Sequence, residues 1–285
     1  VYSRIHQKSA DLRRIVNTAL ERNQKKYQIQ LKQQKDAKKR EKYKLYGELI
    51  NVYGYNLEEG AKELIAPNFY NDNKEIKIPL DPTKTARENS QKYFDRYGKL
   101  KRTAEALDTL LAETKAEIDH LESIQNSLDI ALSADDLVQI KQELTEYGFI
   151  KKHRSSKKEK VKSKPFHYIS SDGYDMYVGK NNYQNDELTF KFATGNDWWF
   201  HAKGMPGSHV VVKNKGEEMP DRVYEEAAML AGYYSKGRES DKIEIDYLQK
   251  KNVKKPAGSA PGFVVYYTNF SMTIHPDISN LKLID

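Results

Sequence analysis

A heptad repeat over residues 100–132 limits the folds open to this sequence more than any other feature. Its two core positions are occupied by Leu100, Ala104, Leu107, Leu111, Thr114, Ile118, Leu121, Gln125, Leu128 and Leu132. Because a seven-residue spacing returns to nearly the same face of an α-helix, the repeat predicts a long helix in a coiled coil. A helix of about 45 residues is roughly 68 Å long.

Residues 4–50 predict the other arm of this coiled coil. They contain no proline, and their first glycine is Gly47. Ile5, Leu12 and Ala19 recur every seven residues. We therefore expect one helix to extend from the start of the chain to about residue 50.

The two arms carry opposite charge. Residues 1–50 hold 14 Lys and Arg against 5 Asp and Glu, whereas residues 101–150 hold 4 against 11. Helices of opposite charge favour pairing, so we expect a long antiparallel coiled-coil hairpin over residues 1–150. A small helical tip module rich in tyrosine is expected at about residues 46–84, between the arms.

Two helix starts are visible in the sequence. Thr85 and Glu88 have the spacing of a capping box, which predicts the start of the second long helix. Ser133 predicts the N-cap of a short amphipathic helix that ends before Gly148.

Residues 151–164 predict a disordered basic linker. They hold 8 Lys and Arg against 1 Glu, and they have almost no apolar side chains. Such clustered positive charge, in a chain of net charge +7, favours a polyanionic partner. The chain has no cysteine, which excludes disulfides and thiolate sites, and no apolar run long enough for a membrane span. It begins with Val1, and we expect a fragment of a longer protein.

Residues 165–285 predict a mixed α/β sheet domain. Asp172 and Gly173 indicate a hairpin, and a helix is expected at about 221–235. Strands are expected to include residues 243–247 and 263–267, giving a sheet of roughly five or six strands.

Several strings in the chain resemble one known family. VGKNNYQNDELT (178–189), DWWFHAK (197–203) and PGSHV (206–210) are similar to the NFACT-R RNA-binding domain. That domain occurs in the RqcH/NEMF family, whose Gram-positive members are also called fibronectin/fibrinogen-binding proteins. YGEL (46–49) and ENSQKYF (88–94) resemble the coiled-coil and middle region of the same family. Lys180 departs from the family pattern, which often has arginine there.

The resemblance implies ribosome-associated quality control. Members of the family bind a large ribosomal subunit that carries stalled peptidyl-tRNA, and the bacterial members direct alanine tailing. We expect the family's N-terminal NFACT-N domain to be missing from this chain, which leaves the coiled-coil and middle region plus the NFACT-R domain.

The resemblance also implies RNA contact by cationic and polar side chains of residues 165–285. These are Lys180, Asn181, Asn182, Lys203, Ser208, His209, Lys213, Lys236, Arg238, Lys254 and Lys255. Gly204, Pro206 and Gly207 are expected to shape a loop that approaches a phosphate backbone closely. The alternatives are turn formation by the asparagines and a solvated surface for each lysine.

The histidines and tryptophans of this domain suggest further roles, in catalysis and in base stacking. His201, Ser208 and His209 suggest a nucleophile with a base, but no residue identifies an orienting acid or an oxyanion pocket. We expect no catalytic site, metal or cofactor, and assign both histidines to loop anchoring. Trp198 and Trp199 face opposite sides of a strand, so one is core and the other stacks on a base or packs under the helix.

Two functions follow. The first is a non-enzymatic, cytoplasmic fragment that binds the large ribosomal subunit and tRNA or rRNA. The second is an adhesin that binds fibronectin or fibrinogen, with the parent protein displayed at the cell surface. No repeat of extended binding segments is present, which argues against the second function.

Overall fold

The computed structural model describes residues 2–154 and 157–285. The described chain forms two compact units. One comprises residues 23–116, and the other, here called the sheet unit, comprises the residues up to Arg22 together with 117–285. A long helical region is followed by an antiparallel sheet domain, which confirms the predicted mixed fold class.

The helical region begins with a helix that is interrupted. Its helices are α1 (Tyr2–Ala37), α2 (Arg40–Tyr53), α3 (Ala86–Ile130) and α4 (Ala134–Glu146). The sequence predicts one helix as far as residue 50, whereas the backbone forms a turn at Lys38 and Lys39. Helix α3 contains 45 residues, the length expected from the heptad repeat.

Helices α1 and α3 pair in antiparallel fashion within each unit. In the sheet unit, Arg13 contacts Asp129 at 2.7 Å and Gln125 donates to Asn17 at 3.1 Å. In the 23–116 unit, Gln34 Nε2 donates to Asp108 at 2.6 Å. Higher numbers on one helix therefore meet lower numbers on the other, as the hairpin prediction requires.

The heptad repeat holds over its centre and fails at its end. The buried positions are Leu107, Leu111, Thr114, Ile118, Leu121 and Leu128. Ile124 is buried where the repeat predicts Gln125, so the buried face shifts by one residue there. Leu132 lies beyond α3 and is 73% exposed.

The tip module is not purely helical, which corrects the prediction for residues 46–84. Strands β1 (Glu63–Asn68) and β2 (Lys74–Pro79) form an antiparallel hairpin in the described chain. Asp72 and Asn73 in its turn have φ angles of 49° and 55°, which Asp and Asn tolerate better than most residues. The hairpin packs on α2 through Leu49, Ile50, Leu64, Ala66 and Ile78.

The predicted caps are confirmed. Thr85 Oγ1 accepts from the Glu88 amide at 3.1 Å, and Glu88 Oε1 accepts from the Thr85 amide at 3.3 Å. Ser133 caps α4 by accepting from the Asp136 amide. Local hydrogen bonding therefore decides where α3 and α4 begin.

The sheet domain is built from one antiparallel sheet. Among the described residues it has seven strands, more than the sequence predicts. They are β3 (Phe166–Ile169), β4 (Asp175–Val178), β5 (Trp198–Ala202), β6 (Val210–Val212), β7 (Ile243–Gln249), β8 (Phe270–Ile274) and β9 (Lys282–Leu283). Their order across the sheet is β8-β7-β5-β6-β4-β3-β9. The strand expected at 263–267 is reduced to a single bridge between Lys254 and Val265.

Different elements cover the two faces of the sheet. Helix α6 (Asp221–Tyr233) packs on one face. The π-helical turn Leu188–Phe192, which follows helix α5 (Asn182–Glu187), and the segment around Val253 pack on the other. Each face has its own apolar core, because side chains alternate along each strand.

The tryptophans of β5 follow this alternation. Trp199 is fully buried, and its Nε1 donates to Thr189 Oγ1 in the π-helical turn at 3.1 Å. Trp198 lies on the opposite face, where its ring is 4.9 Å from that of Tyr224 in α6. Trp199 is therefore core, and Trp198 packs beside the helix, one of the alternatives that the sequence leaves open.

The basic segment 151–164 forms neither helix nor strand at its described positions. Ser155 and Ser156 lie outside the described residues. Ser163 Oγ donates to Asp136 at 2.7 Å, and Gln142 donates to the Glu159 carbonyl at 3.3 Å. The C-terminal end of the segment is thus tied to α4. The predicted domain boundaries at 150 and 164 stay predictions.

Candidate nucleic-acid interface

The polar residues predicted to contact RNA after β4 and before β6 lie inside the fold. The exposed fractions of Asn181, Asn182, Ser208 and His209 are 1%, 4%, 1% and 1%. Asn181 caps α5 by accepting from the Gln184 amide, and it donates to Gln139. Burial this complete leaves these four side chains no surface for a phosphate.

Asn182 belongs to a buried network. Its Nδ2 donates to Glu143 Oε2 at 2.8 Å and to Ser123 Oγ at 2.9 Å. His120 Nε2 lies 2.7 Å from the same Glu143 oxygen. The network joins α3, α4 and α5 within the sheet unit, so its role is to hold these helices together.

A close backbone approach explains the glycine that precedes these asparagines. A Cβ on Gly179 would lie 1.9 Å from Asn185 Oδ1, the atom that accepts from the His209 amide. Ser208 Oγ donates to the Gly179 carbonyl at 2.5 Å. The VGKNN and PGSHV strings therefore interlock with each other.

His209 is held neutral by its surroundings. Its Nδ1 lies 2.7 Å from Thr189 Oγ1, and its Nε2 lies 3.0 Å from the Gly262 carbonyl. Burial, followed by the positive charges of His201 and Lys255, lowers the pKa of His209 to about 3. A neutral imidazole between a hydroxyl and a carbonyl stabilises the loop, as the anchoring interpretation proposes.

This lowered pKa predicts a loss of stability in mild acid. The unfolded chain takes up a proton at His209 below about pH 6.5, whereas the folded chain does not until about pH 3. Stability contributed by His209 therefore falls as the pH drops from 6.5, by up to about 1.4 kcal/mol per pH unit. Urea denaturation at several pH values above about pH 5, where ordinary carboxylates are mostly ionised, measures this slope.

The control for this prediction is His209→Gln, which cannot titrate. Its stability should fall less steeply between pH 6.5 and pH 5 than that of the unaltered chain. Equal slopes for the two proteins would show that His209 titrates normally when folded.

The Lys180 side chain also makes its contacts inside the fold. Its side chain is 15% exposed, and its Nζ lies 3.3 Å from Asp136 Oδ1 and 4.5 Å from the centre of the Phe166 ring. Burial raises the pKa of Asp136, but hydrogen bonds from Ser163 and Leu132 together with Lys180 outweigh it and lower that pKa overall. Lys180 therefore completes a buried ion pair.

The Gly-Pro loop of residues 203–208 is fixed to the end of α6. Gly204 has a φ of 66°, which glycine adopts without strain. The Pro206 carbonyl accepts from the Lys236 amide at 2.9 Å, and Gly207 bridges to Ser235. These contacts give the three loop-shaping residues a structural role, and phosphate approach stays a prediction.

The other lysine and arginine side chains predicted to contact RNA differ in the ion pairs and hydrogen bonds that they form within the protein. Lys203 pairs with Glu244 at 3.1 Å, Lys213 with Asp197 at 2.6 Å and Lys255 with Asp186 at 3.3 Å. Lys236 lies 3.9 Å from Glu122. Arg238 Nε donates to the Tyr233 carbonyl. Lys254 is exposed, and its Nζ donates to the Lys251 carbonyl at 3.1 Å.

Three lysines lie at and just after the end of β7. This basic patch consists of Lys250, which is half-buried, and the exposed Lys251 and Lys254, and Lys254 Nζ donates to the Lys251 carbonyl at 3.1 Å. Phe263, which is 51% exposed, belongs to the segment that bridges to Lys254 through Val265. The amides of Lys250 and Lys251 donate to the carbonyls of Asp197 and Gly195, which joins the end of β7 to the loop before β5. Lysines beside exposed aromatic rings suit phosphates and unstacked bases.

The sequence prediction included only Lys254 of these three lysines. The adjacent pair Lys250 and Lys251 was a usable signal, since it follows the strand predicted at 243–247. The position of this pair beside the loop before β5 depends on β5 pairing with β7. That pairing is not visible in a single sequence.

The histidines form no recognisable active site. Ser208 Oγ donates to a backbone carbonyl, and His209 is occupied by Thr189 and Gly262. Within residues 2–154 and 157–285, no three His, Asp or Glu side chains are grouped as metal ligands.

Comparison with known families covers almost the whole chain. A family model described as the NFACT N-terminal and middle domains matches residues 2–163, and one described as the NFACT protein RNA binding domain matches residues 164–267. The chain belongs to the NFACT family. The buried loops and the basic patch both lie within its NFACT RNA-binding domain.

One expectation is corrected by this result. We predicted that the N-terminal NFACT domain is missing, but the model that matches residues 2–163 covers the N-terminal and middle domains of NFACT proteins.

Bacterial NFACT proteins are similar to this chain along its length. The chain is 38% identical over 275 residues to Rqc2 homolog RqcH of Streptococcus pneumoniae, which covers 96% of this chain and 49% of that protein. It is 34% identical over 278 residues to Rqc2 homolog RqcH of Bacillus subtilis, covering 96% and 48%. The chain thus spans about half the length of these curated relatives.

A solved structure has the same fold. It is the C-terminal part of the fibronectin/fibrinogen-binding protein from Streptococcus suis, with a TM-score of 0.76 and 35% identity over 96% of each chain. In the part of the NFACT chain that the structure describes, no helix is both long and apolar enough to cross a membrane. Display at the cell surface finds no support in these comparisons.

Proposed function

We propose that this chain is the RNA- and ribosome-binding part of a ribosome quality control factor, and that it acts by binding, without a catalytic step of its own. Membership of the NFACT family and similarity to proteins named Rqc2 homolog RqcH support this role. The basic patch is the structural observation that carries the RNA part of the proposal. The parent protein would direct alanine tailing on stalled large subunits in the cytoplasm.

The patch is suited to RNA in charge and in shape. Its lysines lie at and just after the end of β7, which is hydrogen-bonded to the loop before β5. Phe263 adds a flat surface for a base. RNA contact here depends mainly on phosphates, so affinity falls as salt is raised.

The tip module is the proposed site of contact with the large subunit. Ile65, Phe69, Tyr70 and Tyr55 are 53%, 44%, 68% and 81% exposed in the 23–116 unit. Exposed apolar side chains grouped on one small module are typical of an interaction surface.

This contact predicts a loss of ribosome binding when the tip becomes polar. Replacing Ile65, Phe69 and Tyr70 with serine should reduce co-sedimentation with 50S subunits about tenfold or more, because interface residues of this kind contribute about 1 kcal/mol or more each. Binding of free tRNA should stay unchanged. Serine at Ile29 and Leu110, which are 59% and 42% exposed on the helices, is the matched control.

If the tip variant and the control co-sediment equally well, the tip has no part in subunit binding. If the unaltered chain binds neither 50S subunits nor tRNA at low salt, the proposed function fails. Fibronectin and fibrinogen binding is supported only by the name of the Streptococcus suis protein, and we do not propose it.

A further inference from the structure

An open groove lies beside helix α6, on the face of the sheet opposite the basic patch. Its volume is about 700 Å³. The floor is formed by Trp198, Tyr247 and Met272, and Phe270 and Met229 line its sides. Strand β8, at one edge of the sheet, forms one wall, and α6 forms the other.

The rim of this groove is acidic. Glu218, Asp221 and Glu225 line it and are exposed. The lining contains no lysine or arginine, and its histidine, His275, lies 3.4 Å from Asp241. The nearby Arg222 is paired with Asp172 at 3.1 Å. Three carboxylates thus outnumber the cations at a surface of a chain whose net charge is +7.

The floor suits a cationic side chain as well as an apolar one. The Trp198 ring lies 4.9 Å from Tyr224, 6.0 Å from Tyr247 and 6.3 Å from Phe270. The faces of such rings attract guanidinium and ammonium groups, and arginine most often. Methionine adds polarizable surface that adapts to different side chains.

Strand β8 offers backbone hydrogen bonds along the same groove. Its residues Phe270–Ile274 pair with β7 on one side, and no second strand pairs with β8 among residues 2–154 and 157–285. Alternate amide and carbonyl groups of an edge strand point outward and are available to an added strand.

We propose that this groove binds a basic, extended segment of a partner protein. The segment adds a strand to the free edge of β8 and places arginine or lysine side chains over the Phe270 ring, which lies 6.3 Å from that of Trp198, with their charges facing Glu218, Asp221 and Glu225. Charge complementarity selects a cationic polypeptide, because the same carboxylates repel the phosphates of RNA. RNA and this peptide therefore occupy opposite faces of the sheet.

Fluorescence anisotropy with a labelled octapeptide of alternating arginine and valine tests the proposal on the full chain. The unaltered protein should bind it, even though both carry net positive charge. The variant Glu218→Gln, Asp221→Asn, Glu225→Gln should bind about tenfold more weakly, since each exposed ion pair contributes a small increment. N-methylation of alternate peptide amides should weaken binding by a similar factor, because it blocks strand addition.

The matched control removes three acidic charges elsewhere. Glutamine at Glu58, Glu59 and Glu75, which are exposed in the 23–116 unit, should leave peptide binding unchanged. The groove variant should keep its tRNA affinity, which separates this proposal from the proposed function. Equal peptide binding by the groove variant and the unaltered chain, or equal binding of a glutamate–valine octapeptide, would overturn the proposal.

Discussion

Replacing Lys250, Lys251 and Lys254 with glutamine should lower the affinity of the protein for tRNA on the order of a hundredfold at about 0.1 M salt. Each lysine that neutralises a phosphate releases a counterion, so the loss of three such contacts removes most of the electrostatic gain in binding. The slope of log affinity against log salt should become shallower by about 2 to 3. Filter binding over a series of salt concentrations measures both quantities.

The control has the same change in charge at another part of the chain. Glutamine at Lys84, Lys99 and Lys101, which are exposed in the 23–116 unit, should leave the salt slope for tRNA nearly unchanged. If the two triple variants lose equal affinity, tRNA responds to net charge alone and the basic patch is not a site. If neither loses affinity, RNA binds elsewhere.

The basic patch shows why sequence motifs and binding surfaces need not coincide. The most distinctive strings, VGKNN and PGSHV, attract attention as a site, but their side chains make the internal contacts that shape the sheet unit. A Cβ at Gly179 would collide with Asn185 Oδ1, the atom that accepts from the His209 amide. A distinctive motif can reflect the close packing that a local structure requires, whereas exposed lysines can bind phosphate without specific neighbouring residues.

The predictions that depend on local sequence patterns are the ones that the structure confirms. The heptads of α3, the Thr85–Glu88 capping box and the Ser133 cap depend on contacts within a few residues or on a simple period. The tip hairpin was missed because its strands are short and pair across a turn at Asp72 and Asn73. The order of the sheet strands depends on contacts between distant parts of the chain, which no periodicity reports.

Whether a lysine is buried or exposed also decides whether it stabilises the fold or is available for binding, a difference that a count of lysines does not show. Lys180 and Lys254 carry the same charge, but the first completes an ion pair with a buried carboxylate and the second is exposed. Removing an exposed lysine changes binding and has little effect on folding. Removing a buried, paired lysine has the opposite effect, because it leaves a charge without compensation.

Lys180→Met should therefore destabilise the protein by about 3 kcal/mol, which urea denaturation measures. The reason is Asp136, which is 4% exposed and would keep its charge without the nearby ammonium group. The double variant Lys180→Met, Asp136→Asn should recover part of this loss, because it removes both charges. Lys180→Arg, which keeps the charge, is the matched control and should lose much less.

The pH dependence of this variant distinguishes an ion pair from simple packing. In the unaltered chain the pKa of Asp136 is lowered, so its contribution is present above the ordinary pKa of 3.8 and is lost as the pH falls through the folded value. In Lys180→Met that pKa rises. The difference in stability between the two proteins should therefore shrink as the pH falls from the raised pKa of Asp136 in the variant to its lowered pKa in the unaltered chain. If it stays constant, the methionine disturbs packing alone.

The same variant tests the sequence-based prediction that Lys180 contacts RNA. With only 15% of its side chain exposed, Lys180 has little surface to offer a phosphate. At a temperature where both proteins are folded, Lys180→Met should bind tRNA as tightly as the unaltered chain and show the same salt slope. A shallower slope, by about 1, would mean that Lys180 leaves Asp136 to bind phosphate and that RNA breaks this ion pair when it binds.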